Sequence, residues 1–329
     1  MEKTVQYLET HSQNPYYNLA FEEYVLCHRT QGDYLLLWQN DNTIVVGQNQ
    51  NTEAEINRAF VEQHHINVVR RSTGGGTVYH DLGNLNYSFI TDVGDDGISI
   101  RRFTEPVVAA LRSLGLNAEA SGRNDILVEG RKVSGTAQRR HGGRILHHGT
   151  LLFDANPGMV AGALNVDPEK FRSKSTKSVR SRIGNIRDFL PNDMELPAFW
   201  AYLKDALSGG VTPGALSAGE LAEVDRLKRE KYDTWEWNYG RSPKFDVRCK
   251  RYWDGGCLEA NVSIANGVIT DVRFFGDFLS VCGLEELVER LKGVTFRPED
   301  VRAVLNDSPV GELFGGITAD EVTATIFDL

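Results

Sequence analysis

Three consecutive glycines, at positions 74–76, constrain the fold of this 329-residue chain more than any other feature of its sequence. They follow Arg70 and Arg71, which end an apolar run rich in β-branched residues, and a second strand-like segment begins at Thr77. The pattern predicts a glycine loop between two strands. A Rossmann or Walker loop leads from a strand into a helix, and the Walker loop also needs Gly-Lys-Ser/Thr, so neither type fits.

A loop of this kind can serve either of two purposes. Without side chains, its backbone N–H groups can approach an anion closely, and the two arginines would place guanidinium groups at its mouth. Alternatively, it is a glycine-rich connection between strands whose arginines are solvated. The residues of the loop alone leave both interpretations open.

Composition narrows the class of protein. A hydrophobic fraction of 41% and a charged fraction of 25% are typical of a folded globular protein, and the length favours two domains over one. The net charge of −9 disfavours nucleic-acid binding through the whole surface. We expect a cytoplasmic protein that does not span a membrane, because we find neither a signal peptide nor an apolar run of about 18 residues. The four cysteines lack the spacing of a zinc site or a disulfide framework.

Two segments are basic within this acidic chain. Residues 126–135 predict a hairpin that turns at Glu129 and Gly130 and places Lys132 just after the turn. Residues 170–187 are basic and rich in serine, which predicts a mobile loop or a lid that orders over an anion. Both segments favour an anionic ligand, although an exposed basic face would have the same composition. Between Gly130 and Phe153 there is no acidic residue, but there are five basic ones, namely Arg131, Lys132, Arg139, Arg140 and Arg144.

The remaining pattern before residue 241 predicts a mixture of helices and strands. Residues 17–28 fit an amphipathic helix with an aromatic stripe in the core, and its Glu22 and Glu23 are predicted to be solvated. His147 and His148 are neighbours on a predicted strand, so at most one of them faces a pocket. Further helices are predicted at 54–65 and 104–114, the latter with Pro106 in its first turn, and strands at 34–38, 43–46 and 145–153.

The pattern restarts after residues 241–244. The sequence predicts a three-stranded meander whose second turn carries the hairpin signal Asn266-Gly267, followed by three helices of a small α+β unit. We therefore predict two domains, residues 1–244 with the site and residues 245–329. The strands of the meander are expected at 245–253, 257–265 and 268–275, and the helices at 283–291, 298–306 and 319–327.

Five motifs in this order and spacing make the chain resemble the lipoate-protein ligases. The resemblance spans nearly the whole chain and implies an α/β (α+β) fold. A large mixed-sheet catalytic domain, related to that of biotin-protein ligases, would carry a small C-terminal accessory domain. The motifs are RRSTGGGTVYHD at 70–81, SGRND at 121–125, RKVSGTA at 131–137, HHGTLL at 147–152 and SVRSRIGN at 178–185.

The resemblance also implies an activity in two steps. Lipoate and ATP give lipoyl-adenylate and pyrophosphate, and the lipoyl group then passes to a lysine of an acceptor. Mg²⁺ is the expected companion of ATP, although no residue is indicated as its ligand. The implied partners are lipoyl-domain proteins, namely the E2 subunits of 2-oxoacid dehydrogenases and the H protein of glycine cleavage, and neither nucleic acid nor membrane is expected.

Residue by residue, the resemblance assigns roles around Lys132, which would bridge the lipoate carboxylate and the α-phosphate as the catalytic residue. For ATP it implies Arg71, Gly76, Thr77, Val78, Tyr79, Asn124 and Asp125 together with Lys132. For lipoate it implies Arg70, Ser72, Gly74, Gly75, His148 and Gly149, again with Lys132. A loop that closes over the adenylate would contain Ser178, Arg180, Arg182 and Asn185.

Three other functions stay open. An octanoyl- or lipoyltransferase of the same fold would move an acyl group between carriers without ATP, and several such enzymes use a cysteine, which residues 66–187 lack. A biotin-protein ligase is the second alternative, although the loop RRSTGGG differs from the pattern of alternating arginine and glycine in that family. A noncatalytic lipoate-binding protein could keep the pocket, although Lys132 argues against it.

Overall fold

A mixed sheet of eight strands forms the centre of the computed structural model, which describes residues 5–94, 99–122, 124–164, 183–209, 212–239 and 246–327. Its strand order is β11-β1-β2-β6-β10-β9-β8-β7; β1 runs parallel to β2 and β11, and the other pairs are antiparallel. The strands are β1 (Val5–Glu9), β2 (Asp33–Trp38), β6 (Asn84–Asp92), β7 (Ala118–Ser121), β8 (Asp125–Val128), β9 (Arg131–His141), β10 (Arg144–Leu152) and β11 (Thr212–Pro213).

A second sheet holds the glycine loop. In it β3 (Thr43–Val46) lies between β4 (Asn67–Arg70), to which it is parallel, and β5 (Val78–His80), to which it is antiparallel. The loop at 71–77 therefore joins two strands, as predicted. These strands do not pair with each other, because β3 separates them.

Helices cover both faces of the large sheet. In β2, Leu35 and Leu37 face one core and Leu36 and Trp38 the other, as the two-residue period of a strand requires. The helices before residue 240 are α1 (Pro15–His28), α2 (Thr52–Glu55), α3 (Arg58–Gln63), α4 (Ile100–Ser113), α5 (Pro157–Ala163), α6 (Leu196–Ser208), α7 (Ala218–Leu227) and α8 (Trp235–Asn238), with a 3₁₀ turn at Ile186–Phe189 and a π turn at Lys228–Tyr232.

Two predicted helices have different bounds in the structure. The helix predicted at 54–65 is split into α2 and α3, because Ile56 pairs with Leu164 as a β-bridge and the Asn57 side chain caps α3. Helix α4 begins earlier than predicted, because the Ser99 side chain accepts a hydrogen bond from the N–H of Arg102. Pro106 is therefore inside the helix and not in its first turn.

The C-terminal unit has the predicted meander and all three predicted helices. Asn266 and Gly267 both have positive φ, 52° and 77°, as a tight hairpin turn requires. A short further helix, α11, was not predicted. The elements are β12 (Val247–Trp253), β13 (Gly256–Ala265), β14 (Val268–Gly276), α9 (Glu285–Leu291), α10 (Pro298–Asn306), α11 (Val310–Phe314) and α12 (Ala319–Phe327).

Two predicted features lie outside the described residues. They are the domain boundary at 241–244 and most of the basic segment 170–187, of which only residues 183–187 are described. None of the described helices is long and apolar enough to cross a bilayer.

Candidate functional site

A cavity of about 130 Å³ lies between the glycine loop and strands β2, β6, β9 and β10. Trp38, Asn86 and Thr150 stand side by side across three of these strands, and Gly149 pairs with Thr136 on the fourth. Adjacent strands are about 4.8 Å apart, so the row from β2 to β9 is about 14 Å long. The lining residues are Leu19, Trp38, Val45, Arg71, Gly75, Gly76, Thr77, Val78, His80, Asn86, Asn124, Lys132, Gly135, Thr136, Ala137, His148, Gly149 and Thr150.

Lys132 provides the positive charge at the β9 end of this cavity. The turn before it has the predicted shape, with Glu129 and Gly130 at φ 49° and 73°. The Lys132 ammonium lies 2.7 Å from a carboxylate oxygen of Asp125, and both side chains are about one third exposed. Asp125 also lines a larger cleft of about 760 Å³ between α4 and the β7–β8 hairpin, and Asn124 lines both spaces. Lys132 is thus held but can still reach a ligand.

The sequence predicted Arg70 at the mouth of the loop, but in the structure its side chain points away from the cavity wall and into the protein. Its buried guanidinium donates to the carbonyl oxygens of Gly47, Gln48 and Gln50 at 2.9, 2.9 and 2.6 Å, and to the Thr52 hydroxyl at 2.7 Å. Burial lowers the pKa of Arg70 to about 10, which still leaves it charged at neutral pH. Arg70 therefore ties the segment after β3 to the start of the glycine loop.

Arg71 points into the loop instead and lines the cavity. Its guanidinium donates to the carbonyl oxygens of Gly74 and Gly76 at 2.6 and 2.8 Å and to the Thr73 hydroxyl at 3.0 Å. Burial lowers its pKa to about 10, so the group remains a cation. Arg71 thereby fixes the curve of the loop while placing positive charge beside the cavity.

The glycine loop is packed tightly on both sides. A side chain on Gly47 would collide with the carbonyl oxygen of Gly75, and one on Gly74 would lie 2.6 Å from the backbone nitrogen of Ser280. The N–H of Gly75 donates to the Phe278 carbonyl at 3.0 Å. Gly74 therefore faces the C-terminal unit, which differs from its predicted position along the acyl chain.

The other predicted residues fall into two groups. Nine residues line the cavity, namely Arg71, Gly75, Gly76, Thr77, Val78, Asn124, Lys132, His148 and Gly149. Five do not, namely Arg70, Ser72, Gly74, Tyr79 and Asp125. The Tyr79 hydroxyl donates to Asn42 on the far side of the second sheet. Ser178, Arg180 and Arg182 lie outside the described residues, and the Asn185 amide exchanges two hydrogen bonds with the backbone of Ala155.

A buried chain of hydrogen bonds connects helix α1 to the glycine loop. His148 lies 2.9 and 3.0 Å from the two carboxylate oxygens of Glu22 through Nδ1, and 2.8 Å from the Thr73 hydroxyl through Nε2. The Glu22 carboxylate can only accept, so Nδ1 of His148 carries a hydrogen and donates to it; in the neutral ring Nε2 then accepts from the Thr73 hydroxyl. As predicted, only one histidine of the pair faces the cavity, because His147 stacks on Phe103.

The prediction that Glu22 and Glu23 are solvated was wrong, since both are buried. Helix α1 is buried around most of its circumference, so its two carboxylates need partners inside the protein. Glu23 binds Arg139 at 2.7 Å, Lys231 at 2.7 Å and the Tyr232 hydroxyl at 2.6 Å.

Stability should therefore fall at acid pH. Burial by itself would raise the pKa of Glu23, but Lys231 and Arg139 lower it to about 2. A lowered carboxylate pKa contributes stability above its unfolded value of about 4.3 that is lost as the pH falls towards 2. We expect the unfolding free energy, measured by urea titration, to fall by about 2 kcal/mol more over this range than in Glu23→Gln. Equal pH slopes in the two proteins would contradict this assignment.

The basic segment between Gly130 and Phe153 is mostly neutralised within the protein. Arg139 binds Glu23, Arg140 binds Glu312 at 3.0 Å, and Arg144 binds Asp92 at 2.6 Å. Of the segment's five cations, Lys132 is the one that lines the cavity. The composition of the segment therefore overstated the charge available to a ligand.

Several residues of the site were not singled out by the sequence. Trp38, Leu19 and Asn86 were treated as core or went unnoticed, because hydrophobic periodicity cannot distinguish a cavity wall from a packed core. Glu22 gave one usable signal, which is a carboxylate within a helix that is otherwise largely apolar. Its histidine partner is 126 residues away.

Two family models match the chain. The lipoyl protein ligase A/B catalytic domain matches residues 14–208, and the C-terminus of bacterial lipoate protein ligases matches residues 242–326. A lipoate-protein ligase of Bacillus subtilis, LplJ, is 42% identical over 321 residues, which cover 95% of this chain and 97% of the relative.

Solved structures match as well. The structure of P. falciparum LipL1 in complex with lipoate has a TM-score of 0.82 at 24% identity and covers 99% of this chain and 100% of that one, which supports the fold. A lipoate-protein ligase A bound with ATP has a TM-score of 0.64 at 29% identity, covering 73% of this chain and 99% of that one.

Proposed function

The chain belongs to the lipoate-protein ligases, and we propose that its cavity binds lipoate, activates it with ATP as lipoyl-adenylate, and presents the lipoyl group to a lysine of an acceptor protein. One observation carries this proposal. The cavity has the Lys132 ammonium at its β9 end and Trp38 at its β2 end. A carboxylate with a long apolar tail matches both ends.

The first step brings two anions together. A carboxylate and a phosphate about 4 Å apart repel each other by roughly 4 kcal/mol at an effective dielectric of 20. The Lys132 ammonium carries three donors on a flexible stem, so it can bind both anions at once. A carboxylate oxygen then attacks the α-phosphorus, the bond from this phosphorus to pyrophosphate breaks, and lipoyl-adenylate remains.

The glycine loop stabilises the charge that develops on the phosphate. Arg71 is held by the loop's own carbonyl oxygens, so its charge is in place before the nucleotide binds. Preorganised charge of this kind needs no reorientation during the reaction. We assign Gly76, Thr77 and Val78 to the nucleotide together with Asn124, as the family resemblance implies. The Tyr79 hydroxyl is bound to Asn42, and Tyr79 does not line the cavity.

Mg²⁺ would arrive with ATP. No group of three histidine, cysteine, aspartate or glutamate side chains in the described parts of the chain could hold a metal by itself. Mg²⁺ usually binds substrate phosphates and only one or two carboxylates, and Asp125 is the carboxylate beside Lys132. The ion would neutralise charge on the departing pyrophosphate.

In the second step, the amine of an acceptor lysine attacks the lipoyl carbonyl carbon, AMP leaves, and the amine loses a proton. Placing the amine next to an activated anhydride supplies much of the rate. We propose lipoyl-domain proteins as acceptors, namely E2 subunits and the glycine-cleavage H protein.

We also propose residues 1–244 and 245–329 as the two domains, supported by the ranges of the two family models. The use of ATP and four free cysteines support a cytoplasmic location.

Lipoate-dependent exchange between ATP and labelled pyrophosphate tests the proposal. We expect exchange that needs both lipoate and Mg²⁺, followed by lipoylation of an added lipoyl domain. An ATP-independent transferase would instead move an acyl group from a carrier protein without exchange. That result, with no exchange at saturating substrates, would refute the activation step.

Gly135→Ala should lower activity without unfolding the protein. A side chain at Gly135 would lie 3.2 Å from both Cε and Nζ of Lys132, so the ammonium must move away from its position in the cavity. The shift needed is a few tenths of an ångström, and because a misplacement of about 1 Å costs roughly a hundredfold, we expect the rate to fall by about threefold. The check is the exchange rate together with the thermal midpoint, and an unchanged rate in the folded variant would show that the position of Lys132 is not critical.

A further inference from the structure

The hydrogen bonds of three side chains fix the orientation of His80. Asn18 donates through Nδ2 to the carbonyl oxygens of Ser12 and Gln39 at 3.0 and 2.6 Å, and to Oδ1 of Asn40 at 2.9 Å. The Asn40 oxygen therefore faces Asn18, and the Asn40 amide nitrogen lies 3.1 Å from Nδ1 of His80. Because that nitrogen is a donor, Nδ1 of His80 must be the acceptor.

This arrangement determines which ring nitrogen of His80 carries the proton. A neutral imidazole with an accepting Nδ1 has its hydrogen on Nε2. The ring is neutral at physiological pH, because burial, with smaller contributions from Arg71 and His148, lowers its pKa to about 3. His80 is 3% exposed, and its Nε2 has no hydrogen-bond partner among the described residues. Nε2–H is thus a buried donor without an acceptor.

The ring of His80 belongs to the wall of the cavity. It lies 6.4 Å from the Trp38 ring, centroid to centroid, in an edge-on arrangement, and both residues line the cavity with Asn86. Trp38 marks the β2 end, which is the end away from Lys132. An apolar tail that extends from a carboxylate at Lys132 would finish beside His80.

We propose that His80 is a specificity-determining residue, whose Nε2–H donates to a sulfur of the dithiolane ring and so favours lipoate over a saturated acid of the same chain length. The inference rests on the proposed function. A site built to hydrogen-bond its ligand rejects an analogue that lacks the acceptor, because the buried donor is then left unpaired. Since sulfur is a weak acceptor, the preference is modest, at about tenfold.

Paired substitutions test the role of the donor. The ratio of kcat/KM for lipoate to that for octanoate, measured by pyrophosphate exchange, should fall about tenfold in His80→Phe, which fills the space without a donor. His80→Gln keeps a donor and should keep the ratio within about threefold of the wild type. His147→Phe is the matched control, a buried histidine that does not line the cavity, and its ratio should not change. An unchanged ratio in His80→Phe, or the same fall in His147→Phe, overturns the proposal.

A measurement on the unaltered protein covers the case in which the variants do not fold. In a ¹⁵N-histidine spectrum, the Nε2–H signal of His80 should shift when lipoate binds and should shift less with octanoate. Equal shifts, or none, overturn the proposal. The spectrum reports binding without adenylation, so absence of pyrophosphate exchange in the wild type would refute the proposed function while the spectrum still tests His80.

Discussion

Lys132→Ala should abolish lipoate-dependent pyrophosphate exchange, lowering its rate by about a thousandfold. The ammonium is expected to separate two anions in the ground state and to bind the charge that builds on the α-phosphate, and removing one such donor typically costs about 10²–10³ in rate. The initial rate at saturating lipoate and ATP measures the loss. Activity within tenfold of the wild type would remove Lys132 from its assigned role.

The controls for this variant concern its stability and its ion pair. Lys132 and Asp125 are both partly exposed, so their pair is worth only about 0–1 kcal/mol and the variant should fold normally. Asp125→Asn keeps the ammonium in the cavity and should lose much less activity at saturating Mg²⁺. If Asp125→Asn and Lys132→Ala lose activity equally, the ion pair and not the ammonium is what matters.

Arg70→Ala should lower the unfolding free energy by about 4 kcal/mol, which is in the upper range for single substitutions. Its guanidinium is buried and donates to five carbonyl oxygens and one hydroxyl oxygen from two separate segments, residues 47–52 and 237–238. Each acceptor left unpaired in the interior adds about 1–3 kcal/mol, although neighbouring losses do not add fully. Urea unfolding gives the value.

The neighbouring arginine provides the contrast. We expect the fraction of Arg70→Ala that is folded to bind lipoate and ATP with nearly the wild-type affinity, because Arg70 does not line the cavity. Arg71→Ala should weaken ATP binding even at a temperature where it is folded. Titration calorimetry compares the two, and a large loss of lipoate affinity in folded Arg70→Ala would restore the role that the family resemblance implied for it.

The parts of the site that the sequence predicted are those determined by nearby residues. The strand–glycine–strand order, the turn at Glu129 and Gly130, and the opposite directions of His147 and His148 follow from backbone geometry over a few residues. Lys132 follows from the same turn. Each was found in the structure as predicted.

What could not be predicted depends on pairs that are distant in the sequence. The direction of Arg70 depends on carbonyl oxygens near residues 47–50 and 237, and the neutralisation of Arg140 depends on Glu312. A single sequence shows that charges are present but does not show which of them meet. The same limit hid the pairing of Glu22 with His148.

The three glycines of the loop also carry unequal information. Gly74 has no room because a backbone more than 200 residues away crosses it, and Gly75 has a φ of 89° that other residues avoid. At Gly76 a side chain would meet only ordinary contact, 3.8 Å from Asp277. A sequence pattern that weighs the triplet evenly therefore mixes a signature of the C-terminal unit, a signature of backbone shape and a position on the cavity wall, where the limit on a side chain would come from the nucleotide and not from the protein.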